Sequence, residues 1–212
     1  IALSDIRYGY WAPVVRRVNA GGQEVLRMYY SIIIDNYIKS GKANTAANFD
    51  GSWTERAFIG MCESTDPAGA VWTDKGYVTT SSSDRGLNYN RSSLNDWNGY
   101  FYYNAIDPTY IVTPEGKHYL IYGSWHSGFA LLELNSATGK PVNTQGEPWA
   151  NSASELTARY GPRIGTRTAS SRWQGSEAPE IIYKDGYYYL FMAYDGLDVP
   201  YNTRVVRSTS IG

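Results

Sequence analysis

One layout occurs three times along this chain of 212 residues: a short turn ending in proline, a strand, a Gly-containing turn, then a strongly aromatic strand. The copies are "YWAPVVRRVNAGGQEVLRMYYSIII", "NAIDPTYIVTPEGKHYLIYGSW" and "SEAPEIIYKDGYYYLFMAYDG", with Pro13, Pro108 and Pro179 in corresponding places. Self-similarity of this kind marks a repeat architecture, in which each unit buries its apolar face only by stacking on its neighbours. In two of the units a further strand pattern follows, then a turn such as "NSATGKP" (135–141) or "VWTDKG" (71–76). That is the rhythm of propeller blades, each an antiparallel sheet of four strands, whereas a sandwich would not require the same Pro-led lead-in to recur. Blade-like units are expected at approximately 11–82, 104–150 and 176–212.

The rest of the sequence agrees with an all-β chain. Runs such as "RAFIGMCES", "FALLELN" and "TRVVRSTSI" are short, β-branched or aromatic, and bounded by turn residues, while helix-period segments are hard to find. With 42% hydrophobic and 18% charged residues the chain is globular and long enough for one full core. A formal net charge of -1 and the lack of any Lys/Arg block argue against nucleic acid or a polybasic membrane surface as partner. No apolar run approaches the ~20 residues of a membrane span. The single Cys62 excludes an internal disulfide framework and a Cys-rich zinc site, and its apolar strand context reads as core. The chain begins at Ile1 with neither Met nor a signal peptide, so the start of the natural protein is expected to lie upstream.

The stretches at roughly 36–54, 81–100 and 142–175 are polar and rich in Gly, Asn and Ser, and two of them mix aromatic rings with hydrogen-bonding groups. Loops of that length tend to carry function, here the lining of a polar-ligand cleft, with plain solvated surface as the alternative. The acids fall in suggestive places. Asp107 directly precedes Pro108 and Glu177 lies two before Pro179, so both occupy lead-in turns of innermost strands. In a propeller these turns surround the central channel, and two carboxylates facing one funnel are what glycosidic-bond cleavage needs. The plainer alternative is a turn-forming Asp and a solvated Glu. The 20 Tyr and 7 Trp suit both β-strands and stacking on sugar rings.

"NAIDP", "YLIYGSWHSGFALLELNSATGKP" and "EAPEIIYKDGYYYLFMAYDG" together resemble the signatures of glycoside hydrolase family 43, especially its endo-arabinanase branch, and "YWAP" and "GMCESTDPAGAVWTDKG" resemble the preceding blade of that family. The resemblance implies a five-bladed β-propeller, of which this chain would cover about three middle blades. It implies hydrolysis of α-1,5-linked arabinan with inversion, and a place outside the cytoplasm: extracellular, cell-surface or periplasmic. It further implies that Glu177 is the general acid and Asp107 the residue that orients the acid and tunes its pKa. Glu177 should then stay protonated near neutral pH beside an anionic Asp107.

The departures from the family are specific. The general base is expected in an Asp-bearing lead-in near the N-terminus, and nothing before Trp11 looks like a blade; Asp5 is the only acid there and reads as linker. The base is therefore expected outside this chain, together with the flanking blades. Val14 follows "WAP" where an acid is common in the family, and Ser176 precedes Glu177 where an apolar residue is usual. No cofactor is needed for the chemistry. A structural calcium is implied for the complete propeller, with ligands outside this chain, since neither His118, a strand residue, nor His126 fits the family's metal-site position. Trp11, Trp125, His126, Asn104 and Ser124 are the candidate substrate contacts, with seam packing or turn roles as alternatives for Trp11, Trp125 and His126; Trp72 and Trp97 have weaker claims. The expected partners are plant cell-wall arabinan or arabino- and xylo-oligosaccharides. An exo-acting arabinofuranosidase or xylosidase, and a non-catalytic carbohydrate-binding propeller, remain the alternatives.

Overall fold

A computed structural model describes residues 8–34, 57–66, 68–86, 89, 100–168, 171–196 and 199–212. Asp5, Trp97 and most of the first two polar stretches lie outside the described residues.

Eleven strands and one helix are described, in three antiparallel sheets. The first sheet has the order β1 (Tyr8–Ala20), β2 (Gln23–Ile34), β3 (Ala57–Ser64), β4 (Thr73–Thr80). The second is β5 (Thr109–Val112), β6 (His118–Tyr122), β7 (Phe129–Leu134), β8 (Arg163–Gly165), with helix α1 (Ala153–Tyr160) ahead of its last strand. The third holds β9 (Ser176–Lys184), β10 (Tyr187–Tyr194) and β11 (Asn202–Ser208), with β10 in the middle. Each sheet is a meander of sequential strands, as expected for blades, and β1, β5 and β9 stand at corresponding edges.

The middle sheet explains the apolar runs of the second unit. On β6, Leu120 and Tyr122 join a core shared with the first sheet, while Ile121 joins a second core shared with the third. On β7, Ala130, Leu132 and Leu134 face the first core, and Phe129 and Leu131 face the second. A sheet buried on both faces reads as a near-continuous hydrophobic run rather than an alternating one. Each Leu, Ile or Phe among them contributes about 1.5–3 kcal/mol on full burial. The third sheet turns Tyr188, Leu190 and Met192 of β10 toward the middle sheet, while Val205 and Val206 on β11 stay exposed.

Two local readings differ from the structure. The "DKG" of 74–76 has turn chemistry, yet it lies inside β4 as a bulge: the register shifts between Met61 and Cys62, and Gly76 takes φ +72° with its amide on Asp74 Oδ1 at 2.7 Å. The stretch 142–175, read as loop, contains α1 and β8. Its helix begins at an S-x-x-E signal, with Ser152 Oγ accepting from Glu155 N at 3.2 Å, and stops at Gly161. At eight residues it is too short for a hydrophobic period to reveal it.

The seam between the first two sheets is polar at its outer end. The residues of β2 alternate strictly, and Arg27 falls on the buried face with Val25, Tyr29, Ser31 and Ile33. Its guanidinium donates to Glu63 Oε1 (2.7 Å), Tyr110 OH (3.2 Å) and the carbonyls of Ser136 (3.0 Å) and Ala137 (3.1 Å). Tyr29 OH donates to Gly139 O at 2.8 Å, and Lys140 Nζ donates to the bulge carbonyls of Lys75, Gly76 and Tyr77. The "NSATGKP" turn of the second sheet is thereby latched onto the first. Replacing Arg27 by Ala takes from the largely buried Glu63 carboxylate its closer partner, leaving Lys75 Nζ at 3.5 Å, and removes the donors of the Ser136 and Ala137 carbonyls. The expected loss is about 3 kcal/mol in urea unfolding, with Arg27→Met costing less because it refills the volume.

Candidate functional site

The site grows from a backbone oddity that the three repeats share. Ala12 (φ 46°), Asp107 (φ 54°) and Ala178 (φ 51°) are left-handed, and each immediately precedes the repeat's proline. Such a conformation costs about 1–3 kcal/mol at a non-glycine residue and persists only where the surroundings enforce it. In the first and third copies a register shift accompanies it, between Trp11 and Val14 and between Phe191 and Ala193. That bulge is what lets a proline, which has no N–H to pair, sit within a strand. Asp107 thus occupies the repeat position of Ala12 and Ala178, whereas Glu177 occupies that of Trp11 and Ile106.

Neighbouring sheets supply the bonds that hold these bends. Asp107 N donates to Ser31 Oγ on β2 at 3.1 Å, and Ala178 N donates to Asp107 Oδ2 at 3.0 Å. The Asp107 carboxylate therefore reaches from one lead-in turn to the next and lands beside Glu177.

Glu177 is gripped from a second direction by "GSWHSG" (123–128), the turn between β6 and β7. Gly123 N donates to Ile106 O (3.0 Å), Trp125 N to Ser176 O (2.9 Å), Gln174 N to Trp125 O (2.6 Å) and Ser127 N to Arg172 O (2.7 Å). The turn is so tightly crossed that a Cβ on Gly128 would lie 1.9 Å from Gly165 O, and one on Gly123 2.4 Å from Gly128 O. Trp125 itself is left-handed (φ 62°), and its ring rests on Trp173 with centroids 4.5 Å apart. So placed, Trp125 Nε1–H and Ser124 Oγ donate to Glu177 Oε2 at 3.1 and 3.3 Å. Tyr201 OH, from the segment between β10 and β11, donates to Glu177 Oε1.

The electrostatics follow from this packing. Burial pushes the Asp107 carboxyl up to about 6; the Ala178 N–H opposes the shift and the Glu177 charge adds to it. Burial also raises the Tyr201 hydroxyl well above the ordinary tyrosine range, reinforced by its bond to Glu177, by the Glu177 charge and by Asp107.

The structure brings Asp107, Glu177, Ser124 and Trp125 together. Asn104 is fully buried, its Oδ1 accepting from Ser81 Oγ at 3.1 Å, and Ser81 Oγ in turn accepts from Ala57 N and Ala105 N. His126 is buried edge-on against Phe101 and Trp173 rather than turned to open solvent. Trp11 is 43% exposed at the start of β1, Trp72 is half-buried near Gly69, and Cys62 is buried in β3. His118 is buried at the start of β6 with Nδ1 on Tyr110 OH. Among the described residues no cluster of three or more His, Cys, Asp or Glu side chains could hold a metal ion. Sequence reasoning missed Tyr201, Ser31, and the two-bond pair of Arg172 Nη2 with Asp84 Oδ1 and Oδ2 (2.6 and 2.7 Å), which ties the approach to β9 to the exit of the first sheet. None carries a local signal, because each partner is distant in sequence.

Repeated antiparallel meanders of three or four strands, with two carboxylates at adjoining lead-in turns, are the pattern of a β-propeller of the glycosidase type. Comparison with known proteins agrees: the family model "Glycosyl hydrolases family 43" matches residues 4–212, and the chain belongs to that family. It is similar to an extracellular endo-α-(1→5)-L-arabinanase of Thermotoga petrophila (38% identical over 109 residues, 50% of this chain and 20% of that protein). It is also similar to extracellular endo-α-(1→5)-L-arabinanase 1 of Bacillus subtilis (29% identical, 95% of this chain and 46% of that protein). Among solved structures, a GH43 endo-arabinanase from Bacillus licheniformis superposes with a TM-score of 0.59 at 28% identity, covering 95% of this chain and 52% of that one. The chain thus spans half or less of the length of these two relatives.

The raised Asp107 carboxyl sets a stability prediction. Its folded pKa of about 6 lies above its ordinary value of 3.8, so the folded state holds the proton more tightly. Stability should then fall as pH rises from about 4 through about 6 and level off above. Asp107→Asn should remove that slope and raise the melting temperature at pH 7, an effect of about 1–3 kcal/mol, checked by thermal unfolding across pH 4–8.

Proposed function

We propose that the complete protein is an endo-acting glycoside hydrolase that cleaves α-1,5-linked arabinan with inversion at the anomeric carbon. The observation that carries this reading is the joined acid pair: Asp107 Oδ2 accepts the Ala178 amide, which places it next to a Glu177 held by Ser124, Trp125 and Tyr201. Glu177 acts as general acid on the leaving glycosidic oxygen. Asp107, the anion above about pH 6, stands beside it and orients it through the Ala178 amide. The general base that activates water comes from a residue outside these 212, and so do the ligands of any structural calcium in the complete propeller. Trp11, exposed on the innermost strand two residues before Pro13, is a stacking surface for arabinose rings. The relatives' names, "Extracellular endo-alpha-(1->5)-L-arabinanase" in two bacteria, support both the substrate class and an extracellular location.

An exo-acting reading has its own support: an extracellular exo-α-(1→5)-L-arabinofuranosidase of Cellvibrio japonicus is 30% identical over 145 residues. Product analysis separates the two, since internal cuts in linear arabinan release oligomers and end cuts release monosaccharide or a single short product.

In the full-length protein, Glu177→Ala should lower the rate on linear arabinan about a hundredfold or more. Wild-type rates in that variant would overturn the assignment, and sugar binding without turnover in the unaltered protein would favour a non-catalytic module. The 212-residue chain alone, lacking the base, should give little or no hydrolysis in the same assay.

A further inference from the structure

Glu177 accepts three hydrogen bonds, and the donors are chemically unequal. Oε2 faces Trp125 Nε1–H (3.1 Å) and Ser124 Oγ (3.3 Å). An indole N–H only donates, so a proton on Oε2 would point at another donor proton. Oε1 faces the Tyr201 hydroxyl alone among the described residues, and a hydroxyl can donate or accept by rotating. The Ser124 hydroxyl can also turn to accept, but Oε2 alone faces an obligate donor, the Trp125 indole, so the carboxyl carries its proton more readily on Oε1, against the 44% exposed Tyr201.

We propose that Tyr201 is a positioning residue that selects Oε1 as the proton-delivering oxygen of Glu177 and fills, in the free enzyme, the place of the leaving glycosidic oxygen. This rests on the reading of Glu177 as general acid. When substrate binds, the glycosidic oxygen replaces the tyrosine hydroxyl at Oε1. The proton passes from Oε1 to that oxygen as the C–O bond breaks and its electron pair stays with the leaving sugar. Water adds at the anomeric carbon and gives its proton to the base. Glu177, now a carboxylate, regains the Tyr201 bond as product leaves. The titratable groups facing Glu177 are Tyr201 itself and Asp107 from the neighbouring lead-in turn. The Arg167–Asp195 ion pair lies beside Gly175, against which the Trp125 ring also packs.

A donor to a carboxylate favours its charged form in the free enzyme only, if substrate displaces that donor. The test compares the full-length wild type with Tyr201→Phe and Glu177→Gln, measuring kcat and kcat/KM on linear arabino-oligosaccharide from pH 5 to 9. Tyr201→Phe should move the high-pH limb of kcat/KM upward by about half to one unit, leave the limb of kcat in place, and keep the melting temperature of wild type. The kcat/KM profile reports the free enzyme and the kcat profile the complex, so a merely structural tyrosine would not split them. An unmoved kcat/KM limb, or equal movement of both limbs, overturns the inference. Undiminished turnover by Glu177→Gln instead removes the acid assignment beneath it, so the two failures are distinguishable.

Discussion

The site depends on the backbone amides that precede the repeat prolines. Each lead-in residue must bend left-handed for the chain to pass from turn to inner strand, and the proline that follows has no N–H to steady the bend. The second and third bends are held by a side chain from the preceding sheet: Ser31 for Asp107, and Asp107 for Ala178. Strain at one blade is thus offset by a hydrogen bond to the blade before it, and the same bonds fix where the acids stand. Asp107 is at once a clasp between sheets and a member of the acid pair.

Such coupling explains why the site is built from several short stretches rather than one. Glu177 draws donors from the turn after β6 and from the segment before β11, and the turn after β6 is itself pinned to residues 172–176 and to Ile106. Because the bonds of Ser124 and Trp125 to Glu177 and of Asp107 to Ala178 span a blade boundary, the geometry of the acids is set by how the sheets stack. The two apolar cores on either side of the middle sheet, and the Arg27 and Lys140 latches outside them, fix that stacking. Raising a carboxyl such as Asp107 by burial is the stability cost of this arrangement.

Much of the architecture was readable because the repeat is written in local chemistry. A proline preceded by a bend, a Gly turn and an aromatic strand are each short-range signals, and their recurrence identified propeller blades before any tertiary contact was considered. The family resemblance then gave Asp107 and Glu177 their proposed roles through motifs a few residues long. What misled was also local: "DKG" in β4 has the residues of a turn but serves as a bulge whose carbonyls take up Lys140, and α1 is too short to show a helical period.

By itself the sequence determined the class of fold, the repeat positions of the two acids and the absence of features for polyanion binding, since these depend on spacing and composition. Only the tertiary structure decided that Arg27 is buried against Glu63 and that His126 lies behind Trp173. It alone showed that Tyr201 meets Glu177 and that the raised carboxyl is found on Asp107. The reason is physical. A strand's alternation tells which residues share a face, but desolvation and hydrogen bonding depend on what the neighbouring sheet brings to that face. For Glu177 the partners come from positions 24 to 53 residues away.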